Sequence, residues 1–402
     1  MKKGWQTKTL GEICDIERGG SPRPIQSFIT ADPNGINWIK IGDATASGKY
    51  IHKTEEKIRP EGVKKSRMVY EGDFILSNSM SFGRPYIMKT TGCIHDGWLV
   101  LHQPKVDPDY LYHVLSSDLV FNQFDRLAAG STVRNLNIGL AKSVEIPYPP
   151  LSEQQRIVGI LDEAFEGITT AKANAEKNLQ NARALFESYL QSVFTQRGEG
   201  WVETTLEKVL AVQPQNGWSP PAANHSDSGT PVLTLSSVTG FRFRPDKLKF
   251  TSASTDARRN YWVKNGDFLI TRSNTPELVG HVAIASGINE PTIYPDLIMR
   301  MNPAPDRMMT EFLYYQMRSS SLRKEITSRA QGANPTMKKI SNGAVKTLPI
   351  AVPSIVTQRA IVKTIDRLTE ETQRLESICQ QKLAALDELK KSLLHRAFSG
   401  DL

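Results

Sequence analysis

The sequence predicts an α+β protein in which two sheet-rich lobes are separated by two long helices, packed as an antiparallel coiled coil. Two observations predict this fold. The phrase GDF occurs with similar surroundings at 72–76 and at 266–270, and a heptad pattern of apolar residues also occurs twice. We therefore expect a pseudo-twofold, circularly permuted repeat, with lobes at 1–150 and 199–352 and helices at 151–198 and 353–402.

The lobes are predicted to be built mainly from short strands. Runs such as INWIKIGD (36–43), GWLVLHQP (97–104) and TPVLTLSSV (230–238) are typical of strands, and each lobe closes with a helical stretch, at 108–128 and at 310–330. Asp73 and Asp267 of the GDF phrases could be catalytic carboxylates. We interpret them instead as turn residues that bond nearby backbone, because Gly-Asp before a strand is ordinary turn chemistry.

The two long helices repeat each other without a gap, 204 residues apart. Each follows a proline-rich segment, and Ser152 is a candidate N-cap for the first. We expect the helices to bury their apolar seams against each other, although each could instead lie on its own lobe. The predicted seam consists of Ile157, Leu161, Ile168 and Leu185 in the first helix and Ile361, Ile365, Leu368, Leu386 and Leu389 in the second.

Composition narrows the possible functions. The net charge of +8 falls in the two lobes, which favours attraction to a polyanion, although so mild a surplus could serve solubility alone. No apolar run approaches the ~18 residues of a membrane span. The three cysteines are scattered singly, which fits a reducing, cytoplasmic location and excludes a CxxC-type zinc site.

No catalytic motif is visible in the sequence. It contains no GxGxxG, P-loop or HExxH pattern and no Asn/Asp-Pro-Pro-Tyr/Phe motif for base methylation, and its seven histidines are dispersed. The chain therefore reads as a binding protein, not as an enzyme with its own cofactor or metal.

Four segments resemble the specificity subunit of type I restriction-modification enzymes. They are IPYPPLSEQQRIVGILDEAF (146–165), the stretch from Trp5 to Pro22 with TLGEI and GGSP, GDFLITRSNTPELVG (266–280), and the terminal AFSGDL. The resemblance covers the whole chain. The second helix departs from it, because its start reads PSIVTQRAIV where the first reads PLSEQQRIV.

The resemblance implies a function for each part. The lobes would be target-recognition domains that each read one half of a split double-stranded DNA sequence. The helices would set the spacing between half-sites and dock two methyltransferase subunits, through which restriction/translocase subunits join. S-adenosylmethionine, ATP and Mg²⁺ would be bound by those partners and not by this chain.

Residue types that hydrogen-bond base edges or phosphates give the candidate DNA contacts. The candidates are Arg23, Asn78, Arg84, Arg134 and Asn135 in the first lobe, and Gln215, Trp218, Arg272, Asn274, Lys338 and Lys339 in the second. For each, an ordinary surface or turn role remains an alternative. The stretch FRFRPDKLKF (241–250) is interpreted as an amphipathic strand with a solvated basic face, the alternative being a base-stacking platform.

Two other functions remain open from the sequence. The chain could be a coiled-coil scaffold with two protein-binding lobes, its basic surplus being incidental. A self-sufficient nuclease or methyltransferase is disfavoured by the missing motifs. The identity of the target bases depends on loop geometry, which no motif encodes.

Overall fold

The computed structural model describes residues 4–78, 83–128, 136–334 and 336–402. The chain divides into two compact units. The first joins Met1–Glu176 to Cys379–Leu402, and the second is Lys177–Ile378. Each unit thus contains one lobe together with parts of both long helices, and the division falls within the helices.

The first lobe contains two five-stranded sheets, ordered β3-β6-β4-β10-β7 and β2-β11-β8-β9-β5, and a two-stranded pair, β1-β12. Its described strands are β1 (Gln6–Thr9), β2 (Asp15–Arg18), β3 (Ile29–Thr30), β4 (Ile36–Ile39), β5 (Tyr50–Ile51), β6 (Glu56–Ile58), β7 (Arg67–Val69), β8 (Phe74–Ser77), β9 (Pro85–Met88), β10 (Gly92–Ile94), β11 (Trp98–His102) and β12 (Glu145–Tyr148). Its helices are α1 (Leu10–Ile13), α2 (Ile41–Ser47), α3 (Pro108–Leu115), α4 (Asp118–Ala128) and α5 (Ile138–Lys142). The first long helix follows as α6 (Leu151–Thr195).

The second lobe repeats this plan. Its strands are β13 (Val202–Thr205), β14 (Leu210–Asn216), β15 (His225–Ser226), β16 (Thr230–Leu233), β17 (Leu248–Thr251), β18 (Trp262–Val263), β19 (Phe268–Thr271), β20 (Ser273–Asn274), β21 (Val282–Ile284), β22 (Thr292–Ile293), β23 (Ile298–Pro303), β24 (Lys338–Lys339) and β25 (Pro349–Val352). Its helices are α7 (Thr310–Arg318), α8 (Ser320–Arg329) and α9 (Asn342–Lys346), and the second long helix is α10 (Ile355–Ser399).

Matching strands along the chain shows that the two lobes share one topology. The sheet ordered β15-β17-β16-β22-β18 corresponds strand by strand to β3-β6-β4-β10-β7, and in each the fourth strand is parallel to the third and antiparallel to the fifth. The second sheet of the second lobe is ordered β14-β23-β19-β21. The prediction of sheet-rich repeated lobes is therefore confirmed.

The GDF phrase marks the same turn in both lobes. Gly72 and Gly266 each adopt a φ of 91°, a left-handed conformation that favours glycine. The following aspartate accepts a hydrogen bond from the backbone N–H three residues earlier, at 2.8 Å for both Asp73 and Asp267. The interpretation of these carboxylates as turn residues is confirmed.

Three local predictions differ from the structure. The helical stretches that close the lobes are each broken in two, where Ser117 and Ser319 turn their hydroxyls back onto a carbonyl three residues earlier. Ser152 lies inside α6, which begins at Leu151 directly after a proline, so it is not the N-cap. Residues 241–247 do not form the predicted strand: they are a turn and loop, and the strand begins at Leu248.

The two long helices pair antiparallel in each unit. In the first unit the Lys172 ammonium pairs with the Asp387 carboxylate, and in the second the Arg183 guanidinium lies 2.6 Å from Glu376. Residue numbers that rise along α6 therefore face numbers that fall along α10. Each helix also packs on a lobe, because the core of the first unit contains Ile157 and Phe398 and that of the second contains Phe194 and Ile365. Pairing with each other and packing on a lobe thus occur together.

Most predicted seam residues are buried or half-buried, but Leu185 and Leu389 are wrong. Leu185 is 67% exposed and Leu389 is 47% exposed. In α6 the next fully buried position after Ala175 is Phe186, eleven residues on, which is three turns at about 3.67 residues per turn. Residues at strict heptad spacing do not follow this buried stripe, and the Leu185 side chain is therefore exposed to solvent. In α10, likewise, the buried stripe passes through Leu394 and Phe398 instead of Leu389.

A buried glutamine fastens each lobe to the helix that follows it. Gln154 accepts a hydrogen bond from the backbone N–H of Asp107 and donates one to the carbonyl of Pro149. Gln358, 204 residues later, accepts from the N–H of Met309 and donates to the carbonyls of Arg307 and Pro353. The sequences around the two helix starts differ, yet this contact is the same in both.

A second polar contact repeats one turn and a half further along the lobe helix. The Nε2 atom of His113 lies 2.8 Å from the Asp162 carboxylate on α6. In the second unit the Tyr315 hydroxyl donates to Asp366 on α10 at 2.5 Å. Burial lowers the pKa of His113 below its usual value, although Asp162 opposes that shift. The lobe and the helix are thus joined at two points, the glutamine contact and this one. In the first unit the second contact contains a histidine, which can take up a proton.

The glutamine contact gives a stability prediction. Gln358→Ala removes a buried side chain that satisfies one N–H and two carbonyls, so we expect the free energy of unfolding to fall by about 1–3 kcal/mol. Gln381→Ala, on an exposed position of the same helix, is the matched control and should change it by less than about 0.5 kcal/mol. Urea denaturation measures both, and equal losses would contradict the assignment.

The histidine contact predicts a pH dependence. Because folding lowers the pKa of His113, the unfolded chain binds more protons below pH ~6.5, and stability must fall as the pH drops through that range. His113→Tyr places there the residue type that the second unit uses, which does not take up a proton. We expect the variant to lose less stability than the parent between pH 7 and pH 5, measured by urea denaturation at each pH. An identical pH slope in both proteins would contradict this role.

Candidate nucleic-acid interface

In each lobe a glycine-containing loop, an aspartate turn and the end of a buried strand meet at one place. In the first lobe, Gly19 donates its N–H to the carbonyl of Trp98. Its Cα also lies so close to His95 that a Cβ at this position would be 2.0 Å from the His95 carbonyl oxygen. Two residues on, the Ser21 hydroxyl donates to the Asp96 carboxylate at 2.6 Å. Only glycine permits this approach, so the loop and the turn are locked together.

The second lobe contains the same arrangement. A Cβ at Gly217 would lie 1.9 Å from the carbonyl of Tyr294, and the Gly217 N–H donates to Ile298. The Ser219 hydroxyl donates to the Asp296 carboxylate. We call the Ser21–Asp96 and Ser219–Asp296 pairs the serine–aspartate clasps.

The residue at the end of the adjoining strand completes each clasp. Asn78 follows β8 and donates its amide to the carbonyl of Asp96 at 2.8 Å. Arg272 follows β19, the equivalent strand, and its Nη1 lies 3.4 Å from the carbonyl of Asp296. The structure therefore brings the candidates Asn78 and Arg272 to equivalent places in the two lobes.

The side chains of Asn78 and Arg272 differ in their exposure and in their hydrogen bonding. Asn78 is 1% exposed, so its side chain serves the clasp and offers no free edge at the surface. Arg272 is half-buried, and its Nε is buried without a hydrogen-bond partner among the described residues. The contact to Asp296 is the one side-chain hydrogen bond that the described residues give this guanidinium, so its other terminal N–H groups are unpaired.

The other first-lobe candidates that can be placed are exposed arginines. The Arg23 side chain is 82% exposed and its guanidinium lies 3.6 Å from Asp96, beside the clasp. The Ser21 hydroxyl, with a smaller contribution from Arg23, holds the pKa of Asp96 below its usual range. Arg84 is exposed, with its guanidinium over the Tyr86 ring. Arg134 and Asn135 lie outside the described residues.

Three second-lobe candidates, Asn274, Lys338 and Lys339, come together on a small two-stranded ribbon. Strands β20 and β24 pair antiparallel, with Ser273 opposite Lys339 and Asn274 opposite Lys338. The Ile340 N–H donates to the carbonyl of Arg272, which ties the ribbon to the clasp. Lys339 is exposed, whereas the Lys338 ammonium donates to the carbonyl of Gly332 in the glycine-centred loop.

Trp218 and Gln215 lie on the other side of the second clasp. The Trp218 ring is 5.3 Å from the Tyr261 ring, at an angle of 30°. Gln215 lies in β14 opposite Arg300, and its side-chain oxygen is buried without a partner in the described part of the chain. The structure thus places Trp218 at the surface of the site and Gln215 in the sheet beneath it.

A buried basic group supports the loop behind Asn274. Arg323 on α8 donates to the carbonyls of Glu277 and Val279, and burial lowers the pKa of its guanidinium to about 10. Burial and the neighbouring Arg323 also lower the pKa of His281 to about 4, so this imidazole is neutral at pH 7 and its Nδ1 accepts the N–H of Gly240. These groups hold the loop and are not free to bind a ligand.

Sequence reasoning missed the serines and aspartates of the clasps, and Tyr261. A signal for the serines was available, because GGSP at 19–22 recurs as GWSP at 217–220, whereas HDGW at 95–98 and PDLI at 295–298 share only the aspartate. The pairing of Trp218 with Tyr261 had no such signal, since the first lobe carries Gly20 where the second carries Trp218.

Two other kinds of site were sought. In the described part of the chain, no group of three or more His, Cys, Asp or Glu side chains could hold a metal ion. Among the described helices, none has the length and apolarity needed to cross a bilayer. What the lobes offer is a surface of arginine, lysine, amide and aromatic groups around a rigid clasp.

Comparison with known proteins shows to which family the chain belongs. The chain is 25% identical over its full length to the type I restriction enzyme EcoKI specificity subunit of Escherichia coli K12, covering 90% of that protein, and 22% identical to the MjaVIII specificity subunit of Methanocaldococcus jannaschii, covering 94%. Its fold is similar over the full chain to the crystal structure of the HsdS subunit from Thermoanaerobacter tengcongensis, with a TM-score of 0.65, 21% identity and 98% of that chain covered. It is also similar, with a TM-score of 0.79, 20% identity and 99% of that chain covered, to a chain in a structure that describes the complex assembly and conformational transition of the type I R-M system. The model of the type I restriction modification DNA specificity domain matches residues 2–180 and again 198–384. The chain therefore belongs to the family of type I restriction-modification specificity subunits, with two copies of that domain.

Proposed function

We propose that each lobe reads one half of a bipartite double-stranded DNA target around its serine–aspartate clasp. The observation that carries this proposal is the repeated clasp itself: its loop, turn and strand end are the same in both lobes, whereas the side chains presented there differ. The first lobe presents Arg23 and the second presents Trp218 and Arg272. An invariant frame with variable side chains is what reading two different half-sites requires.

The chemistry of the second clasp favours a guanine in its half-site. Arginine donates two parallel hydrogen bonds to the O6 and N7 atoms of guanine, the commonest specific contact in the major groove. The terminal N–H groups of Arg272, which are unpaired except for the contact to Asp296, would make this contact, and the exposed Lys339 on the neighbouring ribbon suits a phosphate contact that fixes the register. The net charge of +8 supports binding to the DNA backbone.

The long helices are proposed to set the distance between the half-sites and to dock the catalytic partners. The glutamine contacts fasten each lobe to a helix of 45 residues, so the length of that helix determines where the lobe is carried. Because the helices repeat, they offer two equivalent surfaces, which suits two methyltransferase subunits. Those subunits would bind S-adenosylmethionine, and restriction subunits joined through them would use ATP and Mg²⁺. No catalytic motif in this chain supplies that chemistry.

The reading role of the second clasp is tested by Arg272→Ala. With the methyltransferase partner present, we expect it to weaken binding about 10- to 100-fold, and to relax base preference in one half-site only. Arg23→Ala is the reciprocal control, because it should affect the other half-site. Methylation profiling over a randomised target library measures both. Equal relaxation of both half-sites by either variant would contradict the assignment of one lobe to each.

The spacing role is tested by lengthening both helices by four residues, between Ala175 and Glu176 and between the facing residues Leu383 and Ala384. Four residues lengthen a helix by about 6 Å and by slightly more than one turn, so the lobe keeps nearly the same orientation about the helix axis. We expect the unspecific gap to lengthen by about two base pairs while both half-sites keep their bases.

A matched control adds four residues between Gly198 and Glu199, outside the helix, which ends at Thr195. That variant should leave the gap unchanged, because the second lobe stays fastened to α10 through Gln358. Profiling of methylated sites decides between them. An unchanged gap in the helix variant would show that the helices do not set the spacing.

A further inference from the structure

The ion pairs between the long helices have the same polarity in both units, with the cation on α6 and the anion on α10. In the first unit the cation, Lys172, lies on α6 and the anion, Asp387, on α10. The second unit has Arg183 on α6 and Glu376 on α10. Because the helices repeat at 204 residues, Lys172 is the counterpart of Glu376, and Arg183 is the counterpart of Asp387. Each equivalent position therefore carries the opposite charge.

When two antiparallel helices are copies of one another, pairing between α6 and α10 competes with pairing between identical helices of two chains. Either helix can pair with its own copy in a second chain, because both helices have the same length and the same register. The apolar residues near the helix ends do little to prevent this, since they match across the repeat: Ile157 with Ile361, Leu190 with Leu394, and Phe194 with Phe398. Burial of these end residues alone does not select α6 with α10.

The charges do make that selection. When α6 pairs with a second α6 in the observed register, Lys172 of each copy faces Arg183 of the other. A pair of α10 helices likewise sets Glu376 against Asp387, again twice. Like charges in contact destabilise a helix pair by amounts similar to those that opposite charges contribute. A pair of α10 helices would also lose the contact in which the Lys390 ammonium lies 4.9 Å from the centre of the Phe165 ring in the first unit, because Phe165 belongs to α6.

We infer that these ion pairs, whose repeat-equivalent positions carry opposite charges, specify pairing between α6 and α10 and exclude pairing of either helix with its own copy in a second chain. This inference goes beyond the proposed function and does not depend on DNA binding. All four side chains are partly exposed, so one pair alone shifts an equilibrium only about two- to fivefold. Two repulsive contacts in each like pair, in place of two attractive ones, give a preference of at least about tenfold.

The test inverts one ion pair in the full chain. The double variant Lys172→Glu/Asp387→Lys keeps an opposite-charge pair at each contact between α6 and α10. It also makes the contacts attractive when α6 pairs with α6 and when α10 pairs with α10. The quadruple variant, which adds Arg183→Glu/Glu376→Arg, keeps every α6–α10 pair and makes both like pairings repulsive again.

The readout uses a position where only a like pairing brings two identical residues together. The twofold centre of an α6–α6 pair falls beside Lys177, and that of an α10–α10 pair beside Lys382, both of which are exposed. Isotopically light and heavy chains are mixed in denaturant, refolded together and treated with an amine cross-linker. Light–heavy links from Lys177 to Lys177 and from Lys382 to Lys382 then report like pairing in mass spectra.

We expect the double variant to give at least about ten times more of both links than the parent, and the quadruple variant to return to the parent level. Thermal unfolding of the monomer fraction shows whether all three proteins fold alike, as their retained ion pairs require. Equal link yields in the parent and the double variant would overturn the inference. So would a quadruple variant that gives as many links as the double variant, because charge polarity would then not be the cause.

Discussion

The attachment of each lobe to its long helix depends on one buried glutamine, and the geometry of the recognition surface depends on that attachment. Gln154 and Gln358 are buried and satisfy backbone groups of the lobe, so breaking the contact leaves a buried amide and its backbone partners unpaired. A lobe that rocked on its helix would move its reading side chains relative to the DNA by several ångströms. Direct readout needs hydrogen-bond geometry held far more closely than that.

The repeat separates what is held constant from what is allowed to differ. The turn at GDF, the glutamine contact and the serine–aspartate clasp occur in both lobes with the same partners. The lobes differ beside the clasp, where Gly20 of one lobe corresponds to Trp218 of the other and Asn78 corresponds to Arg272. Under the proposed function, these positions are where a difference in specificity between the lobes is to be sought.

The sequence was sufficient to predict the fold where a local rule applies. The duplication, the sheet-rich lobes, the two long helices and the GDF turn follow from periodicity and turn chemistry, and the structure confirms each. Ile157, Leu161 and Ile365 of the predicted seam are buried, but Leu185 lies outside the buried stripe, which takes an eleven-residue step from Ala175 to Phe186. Heptad spacing does not encode such a step.

Candidate contacts were harder to predict, because residue type does not determine exposure. Asn78 and Arg272 occupy equivalent positions, and only the structure shows that one is buried in the clasp while the other keeps free donors. The serines and aspartates of the clasps carry no unusual composition. Only comparing the repeat with itself at the level of single loops would have identified them.

The glutamine contacts also bear on how such a protein can change over generations. Every atom that Gln154 and Gln358 contact in the lobes belongs to the main chain, which is the same whatever side chains the lobe carries. Substitution of side chains on a lobe's surface therefore leaves these glutamine hydrogen bonds intact. Such changes in one half of the molecule require no compensating change at Gln154 or Gln358.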